Sequence, residues 1–253
     1  IAIPVAVAAA APGLAHAQSG PERIQSYVVS IVIGSDGSLD ITERISYNFG
    51  SNQRHGIFRD IPEREHYDAR YDRRYPITVR EITADGQPAQ VATSHEGSYL
   101  RLRIGDPDRT ISGLHIYTVR YLVRGGMRGF PDHDELSWDA IGLRWEVPID
   151  RASVQVSAPA GITDVACFAG PAGSRLRCEQ HGMDGATAQF AQSGLAPLSG
   201  MTVVLAVPRG TISPPPVPLL VERHTLARAF TADSTTTPLA AGLTVIAVGG
   251  VLG

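Results

Sequence analysis

The 253-residue chain carries 22 basic and 25 acidic side chains for a formal charge of -3, and 43% of it is hydrophobic, so a packed core is within reach and a disordered chain is excluded. All 22 basic residues are Arg, and the near-neutral balance supplies no broad cationic face of the kind phosphate backbones require, which argues against nucleic acid as a partner. The 26 Gly and 18 Pro favour many short strands joined by turns over long helices.

Residues 1–11 are small and apolar, and Ala15-His16-Ala17 then supplies the small-x-small pattern read by signal peptidase. The expectation is a signal peptide over 1–17 with Gln18 as the mature start; the alternative is an apolar N-terminal strand or helix. No Cys lies near Ala17, which removes lipoprotein anchoring.

Residues 24–33 and 39–49 flank Gly34-Ser35-Asp36-Gly37-Ser38, whose Asp-Gly step suits a tight turn, so the two segments should pair antiparallel. In the second, Leu39, Ile41, Ile45, Tyr47 and Phe49 share one face while Asp40, Thr42, Arg44, Ser46 and Asn48 share the other. Glu43 falls on the apolar face. A carboxylate in that phase must find a cation or several donors, because an unpaired buried charge costs several kcal/mol. The following segment, Arg54-His55-Gly56-Ile57-Phe58-Arg59-Asp60-Ile61-Pro62, embeds arginines among apolar residues. Arg59 is the preferred partner of Glu43 and Arg54 the second choice.

Residues 63–74 alternate in sign with interleaved tyrosines, a solvated loop or a polar recognition surface. Further strands are expected at 77–83, 89–94 and 99–104 as a meander, with Asp85-Gly86 joining the first two, and at 115–124. Asp106 and Asp108 sit in a Gly-Asp-Pro-Asp run and serve the turn. Asp132-His133-Asp134-Glu135 is the richest group of potential ligands; Asp132, Asp134 and Glu135 are weak candidates for Ca²⁺, without EF-hand spacing. Trp138 and Trp145 suit core and rim packing beside Leu136, Leu143 and Val147, with sugar stacking or a peptide clamp as the alternative. Strands should follow at 144–148, 153–157, 165–168, 175–179, 186–191 and 201–207. Ten or more short strands spaced by turns indicate an all-β fold, an antiparallel sandwich over 18–208.

Cys167 and Cys178 stand 11 positions apart around Gly170-Pro171-Ala172-Gly173, which suggests a disulfide across a hairpin, with two free buried thiols as the alternative. Residues 209–218 include Ser213-Pro214-Pro215-Pro216-Val217-Pro218 and read as an extended linker. A juxtamembrane stalk over 219–237, helical at 219–230, is expected to lead to a truncated transmembrane helix over 238–253, where the uncharged run 239–253 falls short of the roughly 20 residues a span needs; a buried core helix is the alternative.

Several stretches in this order resemble one family. They are Asp36-Gly37-Ser38-Leu39 with Thr42-Glu43, Gly56 through Pro62, Gly105-Asp106 with Gly113 and Tyr117, and Glu135-Leu136-Ser137-Trp138-Asp139 leading to Gly142 and Trp145. The set looks like the N-terminal extracytoplasmic domain of the predicted bacterial membrane proteins called domain of unknown function 2207. The resemblance implies a β-sandwich ectodomain followed by membrane helices, and no established activity.

The chain contains no Gly-x-Ser-x-Gly elbow, no His-Glu-x-x-His helix and no phosphate-binding loop, so the residues nominate no catalytic set and no cofactor. The leading expectation is a non-enzymatic envelope domain, held to the membrane by its C-terminal helix and contacting protein or cell-wall components. The rival is an envelope hydrolase or metal-dependent enzyme with a dispersed site.

Overall fold

A computed structural model of the chain describes residues 20–223. The expected signal peptide, nearly all of the stalk and the apolar run 238–253 lie outside the described residues. Two compact units divide what is described: one joins 20–63 to Tyr75–Val217, the other joins Arg64–Arg74 to 218–223.

In chain order the strands are β1 (Arg23–Ile33), β2 (Leu39–Asn48), β3 (Ile57–Pro62), β4 (Arg64–His66), β5 (Tyr71–Arg74), β6 (Ile77–Ala84), β7 (Gln87–Pro88), β8 (Val91–Glu96) and β9 (Tyr99–Ile104). They continue as β10 (Leu114–Val123), β11 (Met127–Gly129), β12 (His133–Ile141), β13 (Ile149–Ser157), β14 (Asp164–Pro171), β15 (Gln180–Asp184), β16 (Thr187–Leu195), β17 (Ser199–Pro208) and β18 (Leu220–Glu222). No helix occurs among the described residues, so the fold is all-β.

The large unit holds three sheets. Eight strands run in the order β15-β16-β13-β1-β2-β10-β6-β7, four in the order β11-β12-β17-β14, and three in the order β3-β9-β8. The small unit is the sheet β18-β5-β4. The β1–β2 turn is built as its sequence dictates: Gly37 takes φ +77°, and Asp36 Oδ1 accepts hydrogen bonds from the Ser38 backbone N–H at 3.0 Å and from its hydroxyl at 2.6 Å. Those two bonds hold the exposed Asp36 carboxyl below the usual carboxylate range.

Alternation then fixes the core. Leu39, Ile41, Ile45, Tyr47 and Phe49 are buried, as are Tyr117, Val119, Tyr121 and Val123 on the next strand of the sheet. The same buried cluster takes in Leu136, Trp138, Met201, Val203 and Leu205 from β12 and β17, and Ile57, Ile61, Leu100 and Leu102 from β3 and β9. Glycines mark where backbones come closest: a Cβ on Gly56 would sit 1.9 Å from the Ile104 carbonyl oxygen, and one on Gly105 would sit 1.9 Å from that of His55. The Gly that opens the Gly56–Pro62 motif is therefore required by the seam between β3 and β9.

Several expectations are corrected. The β1–β13 pair is parallel, with Ile24 opposite Ile149 and Val32 opposite Ser157. Only a tight turn forces antiparallel pairing, and these two strands are far apart along the chain, with β2 through β12 between them. The meander breaks after β7: β8 still pairs with β9, but β9 pairs on its other side with β3, and β8 does not join β6. Residues 144–148 form turns and bends ahead of β13, and 175–179 contribute only a bridge from Arg177 to Phe168. Residues 64–74 contain the hairpin β4–β5 in place of a loop, and 220–222 form strand β18 where helix was expected to begin. The alternating charges of that segment match a two-sided exposed ribbon as well as they match a loop.

Candidate functional site

The densest polar cluster of the large unit lies inside it. Glu43 and Arg59 are both buried, the carboxylate at 0% and the guanidinium at 1% exposure. Arg59 Nε donates to Glu43 Oε2 at 2.7 Å, and Nη2 donates to Oε1 at 2.7 Å, a two-pronged grip that a planar fork makes on a carboxylate. Tyr27 donates its hydroxyl to Oε2 at 2.6 Å, and Tyr121 donates to Oε1 at 2.6 Å. Arg59 Nη1 donates to the backbone oxygen of Asp60. Each carboxylate oxygen thus accepts one guanidinium and one phenol hydrogen.

Register explains the convergence. Val29 of β1 and Val119 of β10 stand opposite Glu43, while Tyr27 stands opposite Ile45 and Tyr121 opposite Ile41. The two tyrosines are therefore the diagonal neighbours of Glu43 from either side. Burial pushes both phenols well above the ordinary value near 10; the Arg59 charge opposes this for Tyr27 and the Glu43 charge reinforces it for both. Burial pulls the Arg59 guanidinium down, but the Glu43 charge and hydrogen bond together with Tyr27 and Tyr121 outweigh it and leave it well above its ordinary value. Gly142 leaves room for this arrangement, since a Cβ there would stand 2.9 Å from Arg59 Nη1.

A second ionic group adjoins the first through Asp60. Arg101 grips its carboxylate with Nε at 2.7 Å and Nη2 at 2.8 Å, and Arg144 Nε reaches Oδ2 at 3.0 Å. The Arg101 guanidinium lies 5.3 Å from the Phe58 ring centre, and that of Arg144 lies 5.0 Å from Tyr99. Arg54 is placed elsewhere: its Nε donates to Glu22 at 2.7 Å on the surface.

The Asp132–Glu135 cluster is split by its own strand. Asp134 is buried and accepts from Arg209 Nη1 at 2.6 Å and from the Gly210 N–H at 3.2 Å. His133 and Glu135 take the opposite face beside exposed Asp132, which pairs with His133 Nδ1 at 2.8 Å. Alternation therefore prevents the three carboxylates from converging, and among the described residues no group of three or more His, Cys, Asp or Glu is placed to hold a metal ion. Asp132, His133, Glu135 and Asp164 instead line an open surface depression.

Trp138 and Trp145 are both buried, edge-on to Tyr75 and Tyr27 at 5.5 and 5.7 Å. Cys167 and Cys178 form a disulfide with Cα atoms 5.3 Å apart, tying the middle of β14 to the segment that leads into β15. Sequence reasoning did not find Tyr27, Tyr121, the Asp60–Arg101–Arg144 group or the Asp134–Arg209 pair. The available signal was a phenol on an inward phase, but its neighbour depends on register.

The likeness to solved structures is slight. Yeast LTA4 hydrolase in complex with bestatin shares 10% identity over 72% of this chain and 28% of that chain, with a TM-score of 0.47. Native leukotriene A4 hydrolase from Saccharomyces cerevisiae gives 10%, 73%, 29% and 0.45, and an M1 zinc metallopeptidase from Deinococcus radiodurans gives 10%, 72%, 42% and 0.40. The chain spans less than half the length of each of these proteins, and a likeness this low bears on neither mechanism nor substrate. No curated protein matches the sequence. Residues 23–207 match the family described as "Predicted membrane protein (DUF2207) N-terminal domain". That span takes in β1 through nearly all of β17, the buried Glu43–Arg59 centre and the Gly56–Pro62 seam, and the chain belongs to this family of predicted membrane proteins.

Proposed function

We propose that this chain is the extracytoplasmic, non-enzymatic domain of a bacterial envelope membrane protein, exported through residues 1–17 and held by its C-terminal apolar segment. Its work is to contact protein or cell-wall components. The observation that carries this reading is the Cys167–Cys178 disulfide, because such bonds persist in oxidising compartments and are rare where cytosolic reductants act. The buried ionic centre supports the non-enzymatic half: Glu43 and Arg59, at 0% and 1% exposure, are bonded to each other, and Glu43 accepts from two tyrosines.

A topology reporter tests the placement. Alkaline phosphatase fused after Pro208 should be active, because that enzyme folds only outside the cytoplasm, and maleimide should label Cys167 and Cys178 only after reduction. An inactive fusion with both thiols free in the native protein would overturn the reading. Sedimentation with isolated cell walls and photo-crosslinking in intact cells then separate the two classes of contact.

A further inference from the structure

We propose that β8 is a docking edge for an extended acidic peptide, which adds as a fourth strand to the β3-β9-β8 sheet. This rests on the binding-domain reading above and names its partner's chemistry. All six residues of β8 are exposed, and among the described residues the strand pairs with β9 alone. It carries no Pro, no Arg and no register shift, the devices by which open edges are blunted. Several other edges of the large unit are short or closed: β7 is two residues including Pro88, β11 is three, β3 is mostly buried and ends in Pro62, and β14 is clipped by the Phe168–Arg177 bridge and the disulfide.

The row behind the edge selects the partner. In register, Ala92 lies opposite Arg103 and Ser94 opposite Arg101. Leu100, Leu102 and Ile104 turn into the core, so the two arginines share the outward face of β9. Ala92 and Ser94 are short, and side chains on an added strand roughly 10 Å from β9 pass over them to the guanidinium groups. Asp60 grips Arg101 through Nε and Nη2, and among the described residues Arg101 Nη1 has no hydrogen-bond partner and Arg103 makes no ion pair. Phe58, 56% exposed and opposite Arg103 on β3, adds an apolar wall. The other long open edge, β15, is backed in register by Ala191, Gln189 and Thr187, which offer no charge. Glu96 at the turn end of β8 lies opposite Tyr99 and repels a further acid there, so the fitting sequence has two carboxylates two positions apart, flanked by uncharged residues.

The backbone is also ready. The Gly105 N–H donates to the Gln90 oxygen at 2.9 Å, which makes Val91 and Ile104 a pair without bonds between them. Val91, Thr93 and His95 therefore aim their N–H and C=O groups at the open edge, the arrangement that strand addition uses.

The test titrates the full chain into a fluorescent, end-blocked Val/Glu peptide with two Glu two positions apart, flanked by Val, with the matching Val/Lys peptide as control. The Val/Glu peptide should bind and the Val/Lys peptide should not. Arg103→Gln should weaken binding about fivefold, in line with one partly exposed ion pair. Thr93→Pro removes an outward N–H without touching a bond to β9 and should weaken binding about tenfold or more. If Thr93→Pro lowers the melting temperature, Ser94→Glu serves in its place, because it sets a carboxylate in the path to Arg101 on an unchanged backbone. Equal binding of both peptides, or variants that bind as wild type does, would overturn the proposal. So would binding to phosphatidylglycerol vesicles that Thr93→Pro leaves unchanged, which would give the arginines to a membrane surface. Binding to isolated cell walls without binding to the peptide sinks this inference and leaves the envelope function standing.

Discussion

Removing the positive half of the buried pair should nearly unfold the domain. In Arg59→Met the Glu43 carboxylate keeps its two tyrosine hydrogen bonds but loses both charge-assisted bonds from the guanidinium, in a site closed to water. A buried charge stripped of its partner costs about 3–5 kcal/mol, against a total stability of roughly 5–15 kcal/mol for a domain. Glu43→Leu should cost as much or more, since it strands the guanidinium and leaves Tyr27 and Tyr121 without an acceptor. The double variant removes both charges and leaves the two hydroxyls, and the Asp60 carbonyl without its guanidinium donor, each worth about 1–3 kcal/mol when unsatisfied. The two single losses should therefore exceed the double loss by about 3–5 kcal/mol. Urea unfolding followed by the fluorescence of the buried Trp138 and Trp145 reads all four proteins. Additive losses, or an Arg59→Met protein as stable as wild type, would show that the pair does not act as a unit.

Gly56→Ala should destabilise by about 3 kcal/mol or more, because its Cβ meets a backbone oxygen at 1.9 Å with φ at +135°, whereas Gly86→Ala, at φ +77° in open space, should cost only about 1–2 kcal/mol in chemical melts. Breaking the 11-residue disulfide loop with the Cys167→Ala, Cys178→Ala double variant should cost about 3 kcal/mol, read as a fall in midpoint under non-reducing conditions; no change would mean the bond contributes nothing. Alkaline pH should unfold the protein through Tyr27 and Tyr121. Their folded values lie well above 10, so their contribution is full below about pH 10 and is lost as pH rises through the folded values, when the unfolded chain releases protons the folded one retains. Tyr27→Phe with Tyr121→Phe should flatten that decline, and an unchanged slope in pH-dependent melts would remove the two phenols as its cause.

The sequence by itself determined which way each strand faces. A period of two over Leu39 to Phe49 placed five apolar residues inward and carried Glu43 with them, because a slip of one position would have exposed all five. The Asp-Gly turns and the opposition of Cys167 to Cys178 across a Gly-Pro bend are likewise local, set by dihedral preferences and short spans. Only the tertiary structure decided which strands lie side by side. Nothing in β1 says that β13 will join it in parallel, and nothing in β9 says that β3 will be its second partner. The partners of Glu43 divide along the same line. That it needs a cation follows from its phase and the cost of a bare buried charge, but the arrival of Tyr27 and Tyr121 depends on the registers of two neighbouring strands. The Asp132–Glu135 run shows the converse. Four polar residues adjacent in sequence suggest one site until pleating sends Asp134 inward to Arg209 and its neighbours outward, because proximity along a strand is separation across its faces.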